Sequence, residues 1–317
     1  MSPIAIVGAG LVGSGWAIVF ARAGHPVRMY DKADGAAARA LATIGDRLQD
    51  LQAAGLIDDP AEIHARITVA GTLQAALQDV VYVQESVLEN VAVKTAVMSE
   101  IDAVIGPMTW VGSSSSGIAA SLYTQHVACR ARCLVAHPVN PPYLAPIVEL
   151  VPAPWTAPET VQGVRALMEA VGQVPVEMTR EAEGFILNRL QGVLLMEAWR
   201  LVEDGLASVE DVDRTVSHGL GLRWSFMGPF ETIDLNAPGG VADYAARLGG
   251  LYRSIAASTT AHLTWTPELI AKVEAERRKV LPADKLGERS AWRDRRLMAL
   301  ARHKREMDAA DTTPGKV

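Results

Sequence analysis

The stretch that decides the fold is Ile4-Ala-Ile-Val-Gly-Ala-Gly-Leu-Val-Gly13, near the start of this 317-residue chain. Its first four residues predict a buried strand, and the helical pattern from Leu11 onward predicts a helix directly after it. Gly8, Gly10 and Gly13 form a Gly-x-Gly-x-x-Gly turn between them. Such a turn brings a pyrophosphate to the unpaired N–H groups of a helix N-terminus. We predict a dinucleotide site here; the alternative is a glycine-rich turn without a ligand.

An acidic residue follows the second predicted strand. Asp31 lies eighteen residues after Gly13, where a carboxylate can accept hydrogen bonds from the adenosine ribose hydroxyls. A 2′-phosphate would meet a like charge there, so NAD is favoured over NADP, although Arg28 and Lys32 lie nearby. Asp31 could instead cap the following turn. The NAD contacts predicted at this end of the chain are Gly8, Gly10, Leu11, Val12, Gly13 and Asp31.

Short apolar runs alternate with stretches of helical periodicity over the first half of the chain. The runs cover residues 4–7, 27–30, 80–83, 110–112, 134–136, 147–151 and 174–178. This alternation is typical of a parallel sheet covered by helices. From Phe185 onward a long apolar helix is predicted, and strand-like runs nearly vanish. We predict an α/β fold: a Rossmann-type doubly wound, mostly parallel sheet over residues 1–183, then a smaller all-helical domain over residues 184–317.

Composition argues against several classes of protein. The chain is 49% hydrophobic and 21% charged, which suits a globular protein of two domains. Its net charge is −6, and the basic residues near the end alternate with acidic ones, so nucleic acid is not an expected partner. No apolar run approaches the ~20 residues of a membrane span, and the first strand begins too early for a signal peptide. We therefore expect no membrane partner and a cytoplasmic location.

The chain has two cysteines, Cys129 and Cys133. They are four residues apart with no second pair nearby, so the sequence predicts neither a disulfide framework nor a zinc site. We expect reduced thiols and no bound metal.

Four polar residues lie where predicted strands or helices begin or end: Ser116, His137, Glu149 and Asn188. Ligands of a doubly wound sheet bind beyond the carboxyl ends of its strands, where Ser116 and His137 fall. Oxidation of an alcohol by hydride transfer needs a base for the hydroxyl proton, and imidazole suits that role. Glu149 could hold the other ring nitrogen, while Ser116 and Asn188 polarise the substrate oxygen. Each residue also has a purely structural interpretation.

Several longer stretches carry a resemblance to a known family. They are residues 6–13, 113–116, 148–152, 184–191 and 197–205, with Ala136-His-Pro-Val-Asn-Pro-Pro-Tyr143 and Gly228-Pro-Phe-Glu-Thr232. Over nearly the whole chain the sequence resembles the L-3-hydroxyacyl-CoA dehydrogenase superfamily, and more closely its λ-crystallin and L-gulonate 3-dehydrogenase branch. The resemblance implies a Rossmann domain followed by a helical dimerisation domain, and hence a homodimer.

The resemblance also implies roles for individual residues. The implied catalytic residues are His137 as general base, Glu149 as its orienting partner, and Ser116 and Asn188 as groups that bind the substrate oxygen. The further residues implied near the nicotinamide half of NAD are Glu89, Lys94, Ser116 and Asn140. From the residues alone, Glu89 and Lys94 look like an ordinary pair at the start of a helix.

Two features bear on the substrate, because the superfamily includes users of acyl-CoA and of free hydroxy acids. Residues 33–93, which contain the region that contacts the CoA headgroup in acyl-CoA relatives, include no lysine, although Arg39, Arg47 and Arg66 remain. In the turn over residues 219–230, Arg223 could bind a substrate carboxylate in its own or the partner subunit's site, and Trp224 could limit the space. Arg223 could equally pair with a surface acid.

We therefore predict an NAD-dependent dehydrogenase that interconverts a small L-3-hydroxy acid, similar to L-gulonate, and its 3-keto acid. Two alternatives stay open. One is oxidation of an L-3-hydroxyacyl-CoA of the 3-hydroxybutyryl-CoA type. The other is a non-catalytic NAD-binding or structural protein, since the name λ-crystallin marks a family member recruited as lens material.

Overall fold

The computed structural model describes residues 1–258 and 265–311, so the parts of the predicted helical domain at 259–264 and 312–317 lie outside the described residues. The described chain forms two compact units. The first contains Met1–Arg189 and the described residues from Ser290 onward, and the second lies within Leu190–Arg289.

One eight-stranded sheet forms the centre of the first unit. Its strands are β1 Ile4–Val7, β2 Val27–Tyr30, β3 Ile67–Val69, β4 Tyr82–Glu85, β5 Trp110–Ser113, β6 Cys133–Pro138, β7 Ile147–Pro152 and β8 Val174–Glu177. Their spatial order is β3-β2-β1-β4-β5-β6-β7-β8. Neighbouring strands are parallel except β6 and β7, which are antiparallel. The predicted doubly wound, mostly parallel sheet is confirmed.

Helices connect the strands and make up the second unit. Those that begin in the first unit are α1 Leu11–Arg22, α2 Ala36–Ala53, α3 Pro60–Ala65, α4 Leu73–Leu77, α5 Val91–Asp102, α6 Ser121–Thr124, α7 Pro158–Ala170 and α8 Leu187–Glu203. The remaining helices are α9 Val209–Thr215, α10 Gly221–Trp224, α11 Pro229–Leu235, α12 Gly240–Ser258, α13 Pro267–Val280 and α14 Leu286–Asp311.

The predicted strands agree with the structure in type; β1 and β2 also have the predicted bounds, and the others differ at one or both ends. Strand β4 begins two residues later than predicted and continues to Glu85, so a carboxylate lies inside a fully buried strand. Strand β3 was not predicted, because it is only three residues long and buries only Ile67. The predicted helix at Phe185 begins two residues later, at Leu187.

Strand β1 lies at the centre of the sheet and contributes to both of its faces. Ile4 and Ile6 pack in one apolar cluster, and Ala5 and Val7 pack in the other. Successive side chains of a strand point to opposite faces, so a central parallel strand must be apolar at every position. The uninterrupted apolar run that opens the chain follows from this burial.

The sheet aligns the carboxyl ends of its central strands. Val7 of β1 pairs with Glu85 of β4, Glu85 pairs with Ser113 of β5, and Ser113 pairs with Val135 of β6. The chain reverses its direction of winding between β1 and β4, and such a switch point is where ligands of this fold bind. The residues that follow these strands therefore share one edge of the sheet.

The compact units divide the chain elsewhere than the predicted boundary at residues 183 and 184. The first unit continues to Arg189, and it also includes the described residues from Ser290 onward. Met298 is buried in the apolar cluster that covers α1 and α2, and Arg305 donates hydrogen bonds to the carbonyl oxygens of Gly55 and Leu56. The strongly charged sequence of α14 does not indicate this apolar contact. The predicted domain boundary stays a prediction.

The second unit buries few apolar side chains. In the described part of Leu190–Arg289, the buried hydrophobic residues are Val202, Val209 and Leu269. Larger apolar side chains such as Val193 and Phe230 are 74% and 77% exposed. A stretch of this length with so small a core needs further cover for its apolar surface.

No helix in the described part of the chain is long and apolar enough to span a membrane. The described residues also bring together no group of three or more histidine, cysteine or acidic side chains that could hold a metal ion. Cys129 and Cys133 are buried free thiols whose Sγ atoms lie 3.5 Å apart.

Candidate active site

The glycine turn after β1 is shaped by close backbone contacts. Gly8 has a φ of +101°, and a Cβ at this position would lie 2.5 Å from the carbonyl oxygen of Ser86. A Cβ at Gly13 would lie 1.9 Å from the carbonyl oxygen of Gly8. Both positions therefore require glycine, one for its backbone conformation and both for lack of space.

The same turn leaves room for a ligand at the start of α1. Gly10 precedes the helix, provides no side-chain cap, and has open space where a Cβ would lie. The first N–H groups of a helix have no partners within it, so those at Leu11 and Val12 are suited to a pyrophosphate. Leu11 is 57% exposed. The residues predicted to bind the NAD pyrophosphate thus fit that group.

Asp31 at the end of β2 holds two loops together. Its Oδ2 accepts the N–H of Ala9 at 2.7 Å, and its Oδ1 accepts the N–H of Ala33 at 2.8 Å. The second contact is the turn cap that the sequence left open as an alternative. Each carboxylate oxygen keeps a further lone pair, so the turn cap and a hydrogen bond from a ribose hydroxyl are compatible.

His137 and Glu149 form the central pair of the site. They lie directly opposite each other on the antiparallel strands β6 and β7, which places their side chains on the same face. His137 Nδ1 lies 2.7 Å from Glu149 Oε2, and both side chains are buried. An ionised carboxylate only accepts hydrogen bonds, so Nδ1 carries a proton, and in the neutral imidazole Nε2 is then the acceptor nitrogen.

The second oxygen of Glu149 binds the start of α8. Oε1 accepts the N–H groups of Ile186 at 2.7 Å and Leu187 at 2.9 Å. Burial acts to raise the pKa of Glu149, but the hydrogen bonds from His137, Leu187 and Ile186 outweigh it and hold this pKa below its usual range. Glu149 is therefore a carboxylate at neutral pH.

Ser116 and Asn188 meet at the loop after β5. Asn188 Nδ2 donates to the carbonyl oxygen of Ser116 at 2.6 Å. The backbone N–H of Ser116 donates to Glu89 Oε1 at 2.8 Å, and Ser116 itself is exposed. The structure thus joins three of the predicted site residues through the backbone of Ser116.

Glu89 organises the loop that carries Ser116. Besides Ser116, its Oε1 accepts the Ser115 hydroxyl at 2.7 Å and the N–H groups of Gly117 at 3.1 Å and Ile118 at 3.4 Å. Burial acts to raise the pKa of Glu89, but the Ser115 hydroxyl, the charge of Lys94 and the loop amides lower it overall. Its carboxylate fills a nest of donors made by consecutive residues.

Lys94 lies between two carboxylates in the interior. Its Nζ is 3.1 Å from both oxygens of Glu85 and 3.4 Å from Glu89 Oε2. Glu85 is fully buried, and it also accepts hydrogen bonds from the Ser113 hydroxyl and the N–H of Val87. Sequence reasoning missed Glu85. A charged residue directly after the apolar run 80–83 is the signal that could have found it.

Asn140 follows His137 in a loop that crosses α1. It is exposed and precedes a cis peptide bond to Pro141. A Cβ at Gly15 would lie 2.7 Å from the ring of Pro142, so this loop packs directly on α1. Arg22 Nη1 also donates to the carbonyl oxygen of Tyr143. The chain after His137 therefore contacts the helix that starts at the glycine turn.

Phe185 is a further residue of the site that sequence reasoning did not identify. Its ring is fully buried, and its centroid lies 5.7 Å from that of the His137 imidazole. Its backbone has a φ of +50°, which no pattern in the sequence indicates. Arg223 and Trp224 lie in α10 of the second unit and are exposed, and the substrate contacts predicted for them stay predictions.

Family models match both parts of the chain. Residues 3–182 match the NAD binding domain of 3-hydroxyacyl-CoA dehydrogenase, and residues 184–277 match the C-terminal domain of the same enzyme. These matches confirm the resemblance seen in the sequence and NAD as the cofactor.

Individual relatives agree with the family models. Lambda-crystallin of Oryctolagus cuniculus is 38% identical over 309 residues, which cover 96% of this chain and 97% of the relative. L-carnitine dehydrogenase of Streptomyces griseus is 37% identical over 247 residues, which cover 78% of this chain and 73% of that enzyme.

A solved structure shows the same architecture. It is 5-formyl-3-hydroxy-2-methylpyridine 4-carboxylic acid 5-dehydrogenase, described as an NAD+ dependent dismutase. It matches with a TM-score of 0.81 and 27% identity over 97% of this chain and 99% of that one. The chain therefore belongs to the 3-hydroxyacyl-CoA dehydrogenase family, and it is an NAD-dependent hydroxy acid dehydrogenase.

Proposed function

We propose that this dehydrogenase interconverts a small free L-3-hydroxy acid, of the L-gulonate type, and its 3-keto acid, with His137 as the general base. The observation that carries the proposal is the 2.7 Å contact between His137 Nδ1 and Glu149 Oε2. This contact engages Nδ1 and leaves Nε2 of His137 to act as the base. The residue lies at the carboxyl edge of the sheet, where ligands of this fold bind.

The reaction divides the two hydrogens of the alcohol between separate acceptors. NAD supplies the acceptor for the hydride from the carbinol carbon when it is bound. His137 Nε2 takes the hydroxyl proton, and the Glu149 carboxylate stabilises the imidazolium that forms. The Ser116 hydroxyl and the second N–H of the Asn188 amide donate to the substrate oxygen as its charge changes.

Residues 33–93 contain no lysine, and the contacts of their arginines bear on the choice between a free acid and a CoA thioester as the substrate. Arg66 is already bound to Glu62 and to the carbonyl oxygen of Ala21, and Arg39 donates to the carbonyl oxygen of Asp34. Arg47 has a buried Nη1 without a hydrogen-bond partner, so it is the arginine of this segment that is least engaged, and the other two are already bound within the protein. The relationship to L-carnitine dehydrogenase also supports a free acid, because L-carnitine carries a 3-hydroxyl and a carboxylate without a thioester.

We also propose that the protein is a homodimer formed through its second unit. The support is the apolar surface of that unit, in which Leu190 and Val193 on α8 are 63% and 74% exposed. A second copy of the chain would cover such a surface in a symmetric contact. The cytoplasmic location stays a prediction from the sequence.

Replacement of the proposed base tests its role directly. In His137→Ala, kcat should fall by ~10² or more, because no group remains to accept the hydroxyl proton, while the affinity for NAD stays the same. Steady-state kinetics and NADH fluorescence titration measure these two quantities. The control is His126→Ala, which removes an exposed histidine outside the site and should leave both unchanged. Near-normal turnover of His137→Ala would refute the assignment.

The charge of Glu149 predicts a pH dependence of stability. Folding lowers the pKa of Glu149, so its contribution is present above the ordinary pKa of a carboxyl group and is lost as the pH falls through the lowered value. Glu149→Gln should therefore lower the free energy of unfolding by about 1–3 kcal/mol at pH 7. The difference in the free energy of unfolding between Glu149→Gln and the parent protein should shrink as the pH falls from about 5 towards 3. Urea denaturation at each pH measures it, and a difference that grows over this range would contradict the prediction.

A substrate screen separates the two enzymatic alternatives. NADH formation should be faster with L-gulonate, 3-hydroxybutyrate or L-carnitine than with 3-hydroxybutyryl-CoA. Arg223→Ala should raise KM for the preferred acid about tenfold or more, since a charged hydrogen bond to its carboxylate is lost. Arg214→Ala, which removes an exposed ion pair with Glu210 in the same unit, is the matched control.

Three outcomes of this screen would count against the proposal. A clear preference for the thioester would assign the acyl-CoA reaction. Unchanged kinetics of Arg223→Ala would remove its predicted role. NADH binding without oxidation of any of these compounds would exclude the proposed substrate class.

Assembly is tested by the mass of the protein in solution. Sedimentation equilibrium should give twice the chain mass of 33.9 kDa. Val193→Glu should shift the protein towards the monomer, because a buried unpaired charge opposes association. Met108→Glu, at a position 82% exposed in the first unit, should leave the mass unchanged. A monomeric parent protein at micromolar concentration would rule out the proposed dimer.

A further inference from the structure

Phe185 has a backbone conformation that its residue type disfavours. Together with Asp79 it is one of two non-glycine residues with positive φ in residues 1–258 and 265–311, and its φ is +50°. It follows Gly184, whose φ is +76°. Glycine adopts this left-handed conformation freely, but a residue with a bulky side chain is strained in it. Such strain persists only where the surrounding structure holds it, and it is concentrated at functional sites.

The left-handed turn determines where two backbone amides point. Helix α8 begins directly after it, and the N–H groups of Ile186 and Leu187 both reach Glu149 Oε1, at 2.7 and 2.9 Å. A right-handed conformation at residue 185 would send the chain in another direction. The conformation of Phe185 thus supplies the hydrogen bonds on one side of the Glu149 carboxylate.

The side chain of Phe185 contacts His137, the other member of the pair. Its ring is inclined by 58° to the His137 imidazole, with the two centroids 5.7 Å apart. The ring is fully buried and belongs to the apolar cluster that also contains Val135 and Val151, from the strands of His137 and Glu149. It therefore excludes water beside the pair, and a hydrogen bond is stronger in such a surrounding than in water.

We propose that Phe185 is a positioning residue for the hydride-transfer reaction. Its backbone directs two amides to Glu149 while its ring fixes the imidazole of His137, so one residue holds both members of the pair. The effect on turnover rests on the proposed function of His137. The effect on the hydrogen bond between His137 and Glu149 is a property of the protein without substrate.

If Phe185 had a purely structural role, it would only stabilise the fold, as the other side chains of the same apolar cluster do. Ile101 offers the comparison, since it is fully buried in this cluster near the end of α5. Loss of its side chain should destabilise the fold without a direct effect on the pair. A positioning role predicts instead that Phe185 variants disturb the pair in protein that is still folded.

The test uses the full chain and two separate readouts. The first is the far-downfield proton resonance of an imidazole N–H bonded to a carboxylate, recorded without substrate and assigned by its absence in His137→Ala. The second is kcat with the preferred acid, alongside KM for NAD. In Phe185→Leu, which keeps an apolar side chain, we expect the resonance to be lost through exchange with water. We expect kcat to fall by about 10- to 100-fold at an unchanged KM for NAD.

Two further variants decide between positioning and packing. Ile101→Ala should lower Tm and keep both the resonance and kcat, while Phe185→Tyr, which retains a ring, should keep most of both. A Phe185→Leu variant that keeps the resonance and kcat, and shows only a lower Tm, would overturn the proposal. If no acid is oxidised but Phe185→Leu still loses the resonance, the proposed function fails and the positioning role stands.

Discussion

The carboxylate of Glu149 is shared between the imidazole of His137 and the first amides of α8, and the arrangement of the site depends on this sharing. It exists because β7 runs antiparallel to β6, which places the two residues opposite each other. One reversed strand thus orients the His137 imidazole and connects it, through Glu149, to the helix that carries Asn188.

A second group of charges lies beside this pair along the same edge of the sheet. Lys94 neutralises Glu85 in the interior and also reaches Glu89, whose carboxylate binds the loop of Ser116. Buried charges are tolerated only when they are paired and fully hydrogen-bonded. The Ser116 loop is therefore held by hydrogen bonds to the Glu89 carboxylate and by a hydrogen bond from Asn188 on α8. The two groups are linked by α8, because its start binds Glu149 and it also carries Asn188, which contacts Ser116.

The two compact units differ in how they achieve stability. The first has apolar clusters on both faces of its sheet, and α14 adds Met298 to one of them. The second buries Val202, Val209 and Leu269 among its described residues. A doubly wound sheet covered by helices on both faces buries its own apolar surface, whereas helices with so small a core leave much of theirs exposed. The first unit can therefore form its site from its own residues, and the second has apolar surface to offer to another molecule.

The sequence by itself determined the features that depend on local patterns. The glycine turn, the alternation of strands and helices, and the placement of His137 and Glu149 on predicted strands or at their ends follow from residue type and spacing, because steric demands and burial act on neighbours in the chain. Only the tertiary structure decided how distant residues meet. The burial of Glu85 against Lys94, the left-handed backbone of Phe185 and the return of α14 to the first unit all depend on packing between segments far apart in sequence, and no local pattern encodes such contacts.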